Sequence, residues 1–96
     1  MSTALTFATE RRPDGSAVLV AAGEIDMSNA ASFAAALEQA STAGAFVVDL
    51  TQVQYIDSAG LAALSPHVEH LRLIASPLLE PVLTIAGMDD LTTIEV

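Results

Sequence analysis

Two segments with strand character flank a helical pattern in the second half of the chain, and this order restricts the fold more than any other feature. AFVVDL at 45–50 is continuously apolar up to its aspartate, which is typical of a strand buried on both faces. A helical pattern of small and apolar residues follows at 59–65 or somewhat beyond, and LRLIAS at 71–76 again has strand character. A strand, a helix and a strand in this order predict two parallel strands joined by a right-handed crossover.

The N-terminal part of the chain predicts an antiparallel hairpin. TALTFATER at 3–11 alternates between apolar and polar residues, as a half-buried strand does. RPDGS at 12–16 has the Pro-Asp-Gly composition of a tight turn. AVLVAAG at 17–23 is therefore predicted to be the partner strand, ending at Gly23.

Two further helices and a final strand complete the predicted order. NAASFAAALEQAST at 29–42 is predicted to be a helix whose buried face carries Phe33 and Leu37, together with Ala30, Ala34 and Ala40. Ser28 or Asp26 can cap its start and Gly44 its end. A last helix is predicted to open at Ser76-Pro77, or else at Pro81, and to end at Gly87. TTIEV at 92–96 is predicted to be a last short strand.

The predicted fold class is α/β, with one domain spanning residues 1–96. Its mixed sheet has four to five strands, begins with an antiparallel hairpin and continues with alternating helices and strands. Hydrophobic residues make up 52% of the chain, enough for one modest core. No apolar run approaches the roughly 20 residues that cross a bilayer, and the first residues lack the pattern of a secretory signal. We therefore expect a cytoplasmic protein without membrane contact.

The charge balance limits the classes of partner. The formal net charge is −9, and the only basic side chains besides histidine are Arg11, Arg12 and Arg72. Such a surface repels phosphate backbones and anionic lipids, which argues against nucleic-acid binding. It also argues against tight self-association, so we expect a monomer or weak dimer. Protein partners should be basic or neutral at the contact.

The sequence offers no convincing catalytic, metal or cofactor site. Ser58 could act as a nucleophile only with an adjacent base, but His67 and His70 lie well into or beyond the helix that Ser58 opens. These histidines, with Glu69 between them, lack a clear third metal ligand and are interpreted as surface residues. Cysteine is absent and no glycine-rich phosphate loop is present. The chain is therefore expected not to be an enzyme.

Asp57 and Ser58 stand at the junction of a strand and a helix. Either side chain can cap the helix by accepting hydrogen bonds from its free N–H groups. The residues that follow are unusually small: Ala59, Gly60, Ala62 and Ala63. A flat helix face of this kind suits the approach of another protein, and it equally suits close packing of the helix on its own sheet.

The stretch VVDLTQVQYIDSAGLAAL at 47–64 resembles the central signature of STAS domains, in particular that of bacterial anti-sigma factor antagonists. Two weaker similarities lie on either side in the expected order. They are GEIDMSNA at 23–30 and SPLLEPVLTIAGM at 76–88. The resemblance covers essentially the whole chain, and the D-S-A-G-L block is its most specific part.

The resemblance implies a phosphorylation switch at Ser58. In that family a partner that is both anti-sigma factor and serine kinase phosphorylates the serine of D-S-x-G. The unmodified antagonist binds this partner and frees the sigma factor, and a serine phosphatase resets the modified form. Carried over to this sequence, the partner-binding residues would be Asp26, Asp57, Ser58, Ala59, Gly60, Ala62 and Ala63. Asp26 matches a position that lies near the serine.

One departure from the family pattern bears on this interpretation. Pro66 falls within the helix that Ser58 opens, so the helix is expected to be kinked or only about two turns long. Two alternatives therefore stay open. The chain could be a STAS accessory subunit of an ABC-type lipid transporter, in which Ser58 only caps a helix, or a STAS scaffold that is not phosphorylated.

Overall fold

A computed structural model describes residues 4–42 and 44–96, and its elements follow the predicted order. Residue 3, which the sequence assigns to the first strand, lies outside the described residues. The strands are β1 Thr6–Arg11, β2 Ala17–Ile25, β3 Phe46–Ile56, β4 Leu71–Ile74 and β5 Thr93–Glu95. The α-helices are α1 Ala30–Ser41, α2 Ser58–Leu64 and α3 Glu80–Ile85, and 3-10 turns occupy Ser65–His67 and Met88–Asp90.

The strands form one five-stranded sheet in the order β1-β2-β3-β4-β5. β1 pairs antiparallel with β2, and every other pairing is parallel. The N-terminal hairpin, the mixed sheet and the α/β class are therefore confirmed. Each parallel strand lies on the same side of its predecessor, so right-handed crossovers place α1, α2 and α3 on one face of the sheet.

The hydrophobic core lies between this face and the helices. Leu19, Val48 and Leu73 project into it from β2, β3 and β4, and they share one cluster with residues of α1, α2 and α3, namely Phe33, Leu37, Leu64 and Leu83. Val47 belongs to the opposite face but is only 5% exposed. The burial on both faces that was predicted for 45–50 is thus confirmed for 46–48 and Leu50, whereas Ala45 is exposed and helices cover one face only.

The sequence predicted that β2 ends at Gly23, but Gly23 lies inside the strand. The strand continues to Ile25, and its register with β3 shifts between Gly23 and Glu24. Gly23 has φ +110°, and a Cβ atom there would lie 2.3 Å from the carbonyl oxygen of Ala4. Glycine therefore permits an irregularity and a close approach of the backbone rather than a strand end.

The start of α1 also differs from the prediction. Asn29 occupies the N-cap position and makes no side-chain cap hydrogen bond, so neither Asp26 nor Ser28 caps the helix. The Asp26 carboxylate instead accepts hydrogen bonds from the backbone N–H and the hydroxyl of Ser28. α1 ends at Ser41 with Thr42 as its C-cap, before the predicted stop at Gly44. Its buried residues are Phe33, Leu37 and Ala40, whereas Ala30 and Ala34 are half-buried.

Prolines shape the two later helices. α2 has 7 residues, about two turns, and continues as a 3-10 turn that contains Pro66, as predicted. α3 begins at Glu80 with Pro81 in its first turn. Ser76-Pro77 therefore opens only a turn, in which the N–H of Leu79 and that of Glu80 donate to the Ser76 carbonyl oxygen. Among the described residues, no helix combines the length and the apolar character that crossing a membrane requires.

Candidate functional site

The candidate site lies where β2 and β3 end side by side. Ile25 and Ile56, the last residues of these parallel strands, are partners in the sheet. The N–H of Asp57 donates to the Ile25 carbonyl oxygen over 3.1 Å. The loop that follows β2 therefore meets the start of α2, which places Asp26 and Asp57 at the same end of the sheet.

The Asp57 carboxylate binds three backbone N–H groups in two segments. Oδ1 accepts from Ala59 at 2.9 Å and Gly60 at 3.1 Å, so Asp57 is the N-cap of α2. Oδ2 accepts from Met27 at 3.1 Å in the loop after β2. One side chain thus caps the helix and holds the neighbouring loop against it.

The Ser58 hydroxyl is not needed for capping, because Asp57 has that role. Ser58 is the first residue of α2 and is exposed. Its hydroxyl makes no hydrogen bond to any of residues 4–42 or 44–96. The group is thus accessible to a modifying enzyme. His67 and His70 both lie beside Phe46, at the other end of β3, and are therefore not placed to deprotonate this hydroxyl.

The small residues of α2 divide between the core and the surface. Gly60 is buried, and a Cβ atom there would lie 2.7 Å from side-chain atoms of both Ile25 and Ile56. Glycine at this position therefore lets α2 pack closely on the strand ends and presents no surface to a partner. Ala59 and Ala63 are half-buried, and Ala62 is exposed. The close-packing interpretation thus holds for Gly60, and Ala62 remains on the accessible face.

Met27 is a surface residue of this site that sequence reasoning missed. Its side chain is 82% exposed, and its backbone N–H is the one bound by Asp57. An apolar side chain within the otherwise polar loop DMSN was the available signal. Large exposed apolar side chains are common at protein contact sites. The surface around Ser58 is therefore apolar at Met27 and Ala62.

The same surface carries negative charge. Hydrogen bonds from the Ser28 hydroxyl and from the Ser28 backbone N–H lower the pKa of Asp26 below its ordinary value of 3.8. Asp26 is accordingly ionised at neutral pH. With Asp57 beside Ser58, the site presents carboxylates and apolar groups together, which favours a partner that is basic at the contact.

The two histidines occupy different environments, and one of them corrects the prediction. His67 is buried rather than on the surface, with its ring edge-on to Phe46 at a centroid distance of 6.0 Å. Its Nε2 atom lies 3.8 Å from Oε1 of Glu38. His70 is exposed. In the part of the chain that the structure describes, no three His, Cys, Asp or Glu side chains are grouped so as to hold a metal ion.

Comparison with known proteins identifies the family and the fold. The family described as "Mlab, STAS domain" matches residues 8–93. An anti-sigma factor antagonist from Mycobacterium paratuberculosis is 26% identical and superimposes with a TM-score of 0.86, covering 96% of this chain and 86% of that chain. No curated protein sequence matches the chain.

Two more distant structures share the fold. The anti-sigma factor antagonist SpoIIAA in its unphosphorylated form is 15% identical, with a TM-score of 0.72 over 95% of this chain and 89% of that chain. A Thermotoga maritima protein described as a candidate anti-sigma factor antagonist is 18% identical, with a TM-score of 0.75 over 94% of this chain and 86% of that chain. The chain therefore belongs to the STAS-domain family and has the fold of the anti-sigma factor antagonists.

Proposed function

We propose that this protein is an anti-sigma factor antagonist that binds an anti-sigma factor with serine-kinase activity. Binding releases the sigma factor, and phosphorylation of Ser58 by the same partner ends the binding. A serine phosphatase restores the active form, and the cycle takes place in the cytoplasm. The observation that carries the proposal is the exposed Ser58 hydroxyl, which has no hydrogen-bond partner among residues 4–42 and 44–96.

The proposed contact surface is the exposed part of the site. It consists of Asp26, Met27, Ser58 and Ala62, with Ala59 and Ala63 at its edge. Asp57 contributes charge and holds the loop in place. Gly60 contributes indirectly, because its lack of a side chain lets α2 pack closely on Ile25 and Ile56. A basic and partly apolar surface on the kinase complements this arrangement.

Phosphorylation of Ser58 changes the contact without unfolding the domain. The hydroxyl is exposed and supports no hydrogen bond in the described part of the chain, so a phosphate there stays in water. It adds about −1.5 to −2 charges beside Asp57, in a protein whose formal net charge is already −9. At an interface closed against the small hydroxyl, the bulkier phosphate must be desolvated without a partner group arranged to receive it, and an uncompensated buried charge costs several kcal/mol. Because each 1.4 kcal/mol is a tenfold change, we expect at least a roughly 100-fold loss of affinity.

Intact-mass spectrometry after incubation with ATP and a candidate anti-sigma kinase tests the proposal. The wild-type protein should gain one phosphate, and Ser58→Ala should gain none. Ser65→Ala is the matched control, because Ser65 is also exposed and lies just after α2. This variant should be phosphorylated like the wild type.

Binding assays with the same kinase separate docking from the switch. The unmodified protein and Ser58→Ala should bind, and the phosphorylated protein should not. Binding without modification by any candidate kinase would contradict the switch and indicate a docking domain alone. If the protein is neither bound nor phosphorylated by any candidate kinase, the proposed function is wrong. That result would favour the transporter-subunit or scaffold alternative.

A further inference from the structure

A second candidate site lies at the opposite end of the sheet from Ser58. An open depression of about 480 Å³ is lined there by Arg12 from the β1–β2 turn, by His70 and Arg72, and by the apolar side chains of Ala45, Val68 and Leu91. Its volume is in the range of small-molecule sites. Phe46 and Ile56 are the two ends of β3, so the depression and the Ser58 site are separated by roughly 30 Å at about 3.3 Å per residue.

Positively and negatively charged side chains occur together in the depression. The chain has three Lys and Arg side chains in all, and Arg12 and Arg72 both line this one depression. The Arg72 guanidinium is paired with the Glu95 carboxylate. Arg12 is half-buried, and its guanidinium forms no ion pair or hydrogen bond with the residues that the structure describes. The hydrogen bonds from Ser16 and, to a smaller extent, the charge of Arg12 lower the pKa of Asp14, but the two side chains form no ion pair, so the Arg12 donors remain available to a ligand.

The nearby carboxylates restrict which anion fits. Asp14 also lines the depression, and its Oδ1 atom accepts hydrogen bonds from the Ser16 backbone N–H at 2.9 Å and the Ser16 hydroxyl at 2.7 Å. Glu69 is a further lining residue and is exposed. These two negative charges disfavour a multiply charged anion, whereas a single negative charge can still pair with Arg12.

We propose that this depression binds a small organic monocarboxylate. The guanidinium of Arg12 pairs with the carboxylate, because its planar fork of N–H donors matches the two carboxylate oxygens. The apolar body of the ligand lies on Leu91, Val68 and Ala45, which removes exposed apolar surface of both molecules from water. The site is independent of the proposed antagonist function, since none of its residues contacts Ser58.

Titration of the isotope-labelled full chain with octanoate, followed by amide NMR signals, tests the proposal. Saturable shifts are expected for residues lining the depression, with a dissociation constant of roughly 1 mM for a ligand of this size. Octanol lacks the charge and inorganic phosphate lacks the apolar body, so both should bind at least about tenfold more weakly. Equal binding of octanol or phosphate would overturn the assignment, as would the absence of saturable shifts with octanoate.

Two variants and one control identify the contributing groups. Arg12→Gln should weaken octanoate binding about 10- to 100-fold, the effect of losing a charge-assisted contact. Arg11→Gln removes the same charge from the neighbouring residue, whose guanidinium donates to the Gly15 carbonyl oxygen and does not line the depression. This control should bind octanoate almost unchanged.

Leu91→Ser tests the apolar floor while the guanidinium stays in place. Leu91 is 55% exposed, so its replacement should not unfold the domain, and the dispersion of the amide spectrum verifies the fold of each variant. Octanoate binding should weaken several-fold. If Arg11→Gln and Arg12→Gln weaken binding equally, only the overall charge matters and the proposed site is wrong.

Discussion

At the scale of single residues, Asp57 joins two parts of the chain that are 30 positions apart. One carboxylate oxygen caps α2, and the other accepts from the Met27 N–H in the loop after β2. Asp57 therefore ties this loop to the start of α2, while hydrogen bonds of the Asn29 side chain hold the loop to Glu24 and Asp26. A cap of this kind leaves the neighbouring serine hydroxyl free, which is what a modification site requires.

Substitution of Asp57 tests this double role. Asp57→Ala should lower the free energy of unfolding by about 1–2 kcal/mol, because both the cap and the bond to the loop are lost. Asp57→Asn retains one acceptor oxygen, which can still bind Ala59 and Gly60, and should lose less. Urea denaturation measures both values.

Hydrogen exchange at the Met27 amide separates the two bonds. Exchange should be faster in Asp57→Asn than in the wild type, since the second oxygen has been replaced by an N–H donor. Unchanged exchange together with unchanged stability would show that Asp57 does not hold the loop.

At the scale of secondary-structure elements, β2 depends on a glycine in its interior. Gly23 combines a positive φ with a backbone contact to Ala4, and the register between β2 and β3 shifts beside it. β2 thereby extends to Ile25 and ends next to Ile56. The junction that carries Asp57 and Ser58 is built on this extension.

A pair of glycine variants measures the contact separately from the backbone strain. Gly15 has φ +90° and no atom within 4 Å of an added Cβ, whereas a Cβ on Gly23 would lie 2.3 Å from the Ala4 oxygen. Gly15→Ala should therefore cost about 1 kcal/mol through strain alone. Gly23→Ala should cost about 1–3 kcal/mol more because of overpacking. Thermal or urea unfolding gives both values, and equal losses would show that the contact with Ala4 is unimportant.

At the scale of the whole molecule, hydrogen-bonded carboxylates contribute to the dependence of the unfolding free energy on pH. Hydrogen bonds from Ser16 and from Ser28 lower the pKa values of Asp14 and Asp26 below 3.8 in the folded protein. The unfolded chain therefore binds protons more readily than the folded one in this range. The contribution of these carboxylates is complete above the ordinary pKa and is lost as the pH falls through the lower, folded-state values.

A double variant isolates this contribution from the general charge effect. Asp14→Asn with Asp26→Asn keeps acceptor oxygens for the two turns but removes their titration. Between pH 5 and pH 3, by urea denaturation, the double variant should lose less stability than the wild type. An identical pH dependence would contradict the role assigned to these two groups.

The order and type of the elements, the hairpin and the short α2 follow from the sequence by itself. The turn RPDGS, the period-two pattern of β1 and the proline that stops α2 act through local φ restrictions and hydrogen bonds within a few residues. For the same reason the sequence identified the D-S pair at the start of α2, but it left open which of the two caps the helix, and the structure shows that Asp57 does.

Only the tertiary structure decided which of these residues reach the surface. Gly60 is buried because Ile25 and Ile56 approach it from two strands, and His67 is buried beside Phe46. Gly23 lies inside β2, where the backbone of Ala4 leaves no room for a Cβ atom. Met27 lies beside Ser58 because Asp57 accepts a hydrogen bond from its N–H. Each outcome depends on contacts between segments far apart in the chain, which local patterns of hydrophobicity and backbone preference do not encode.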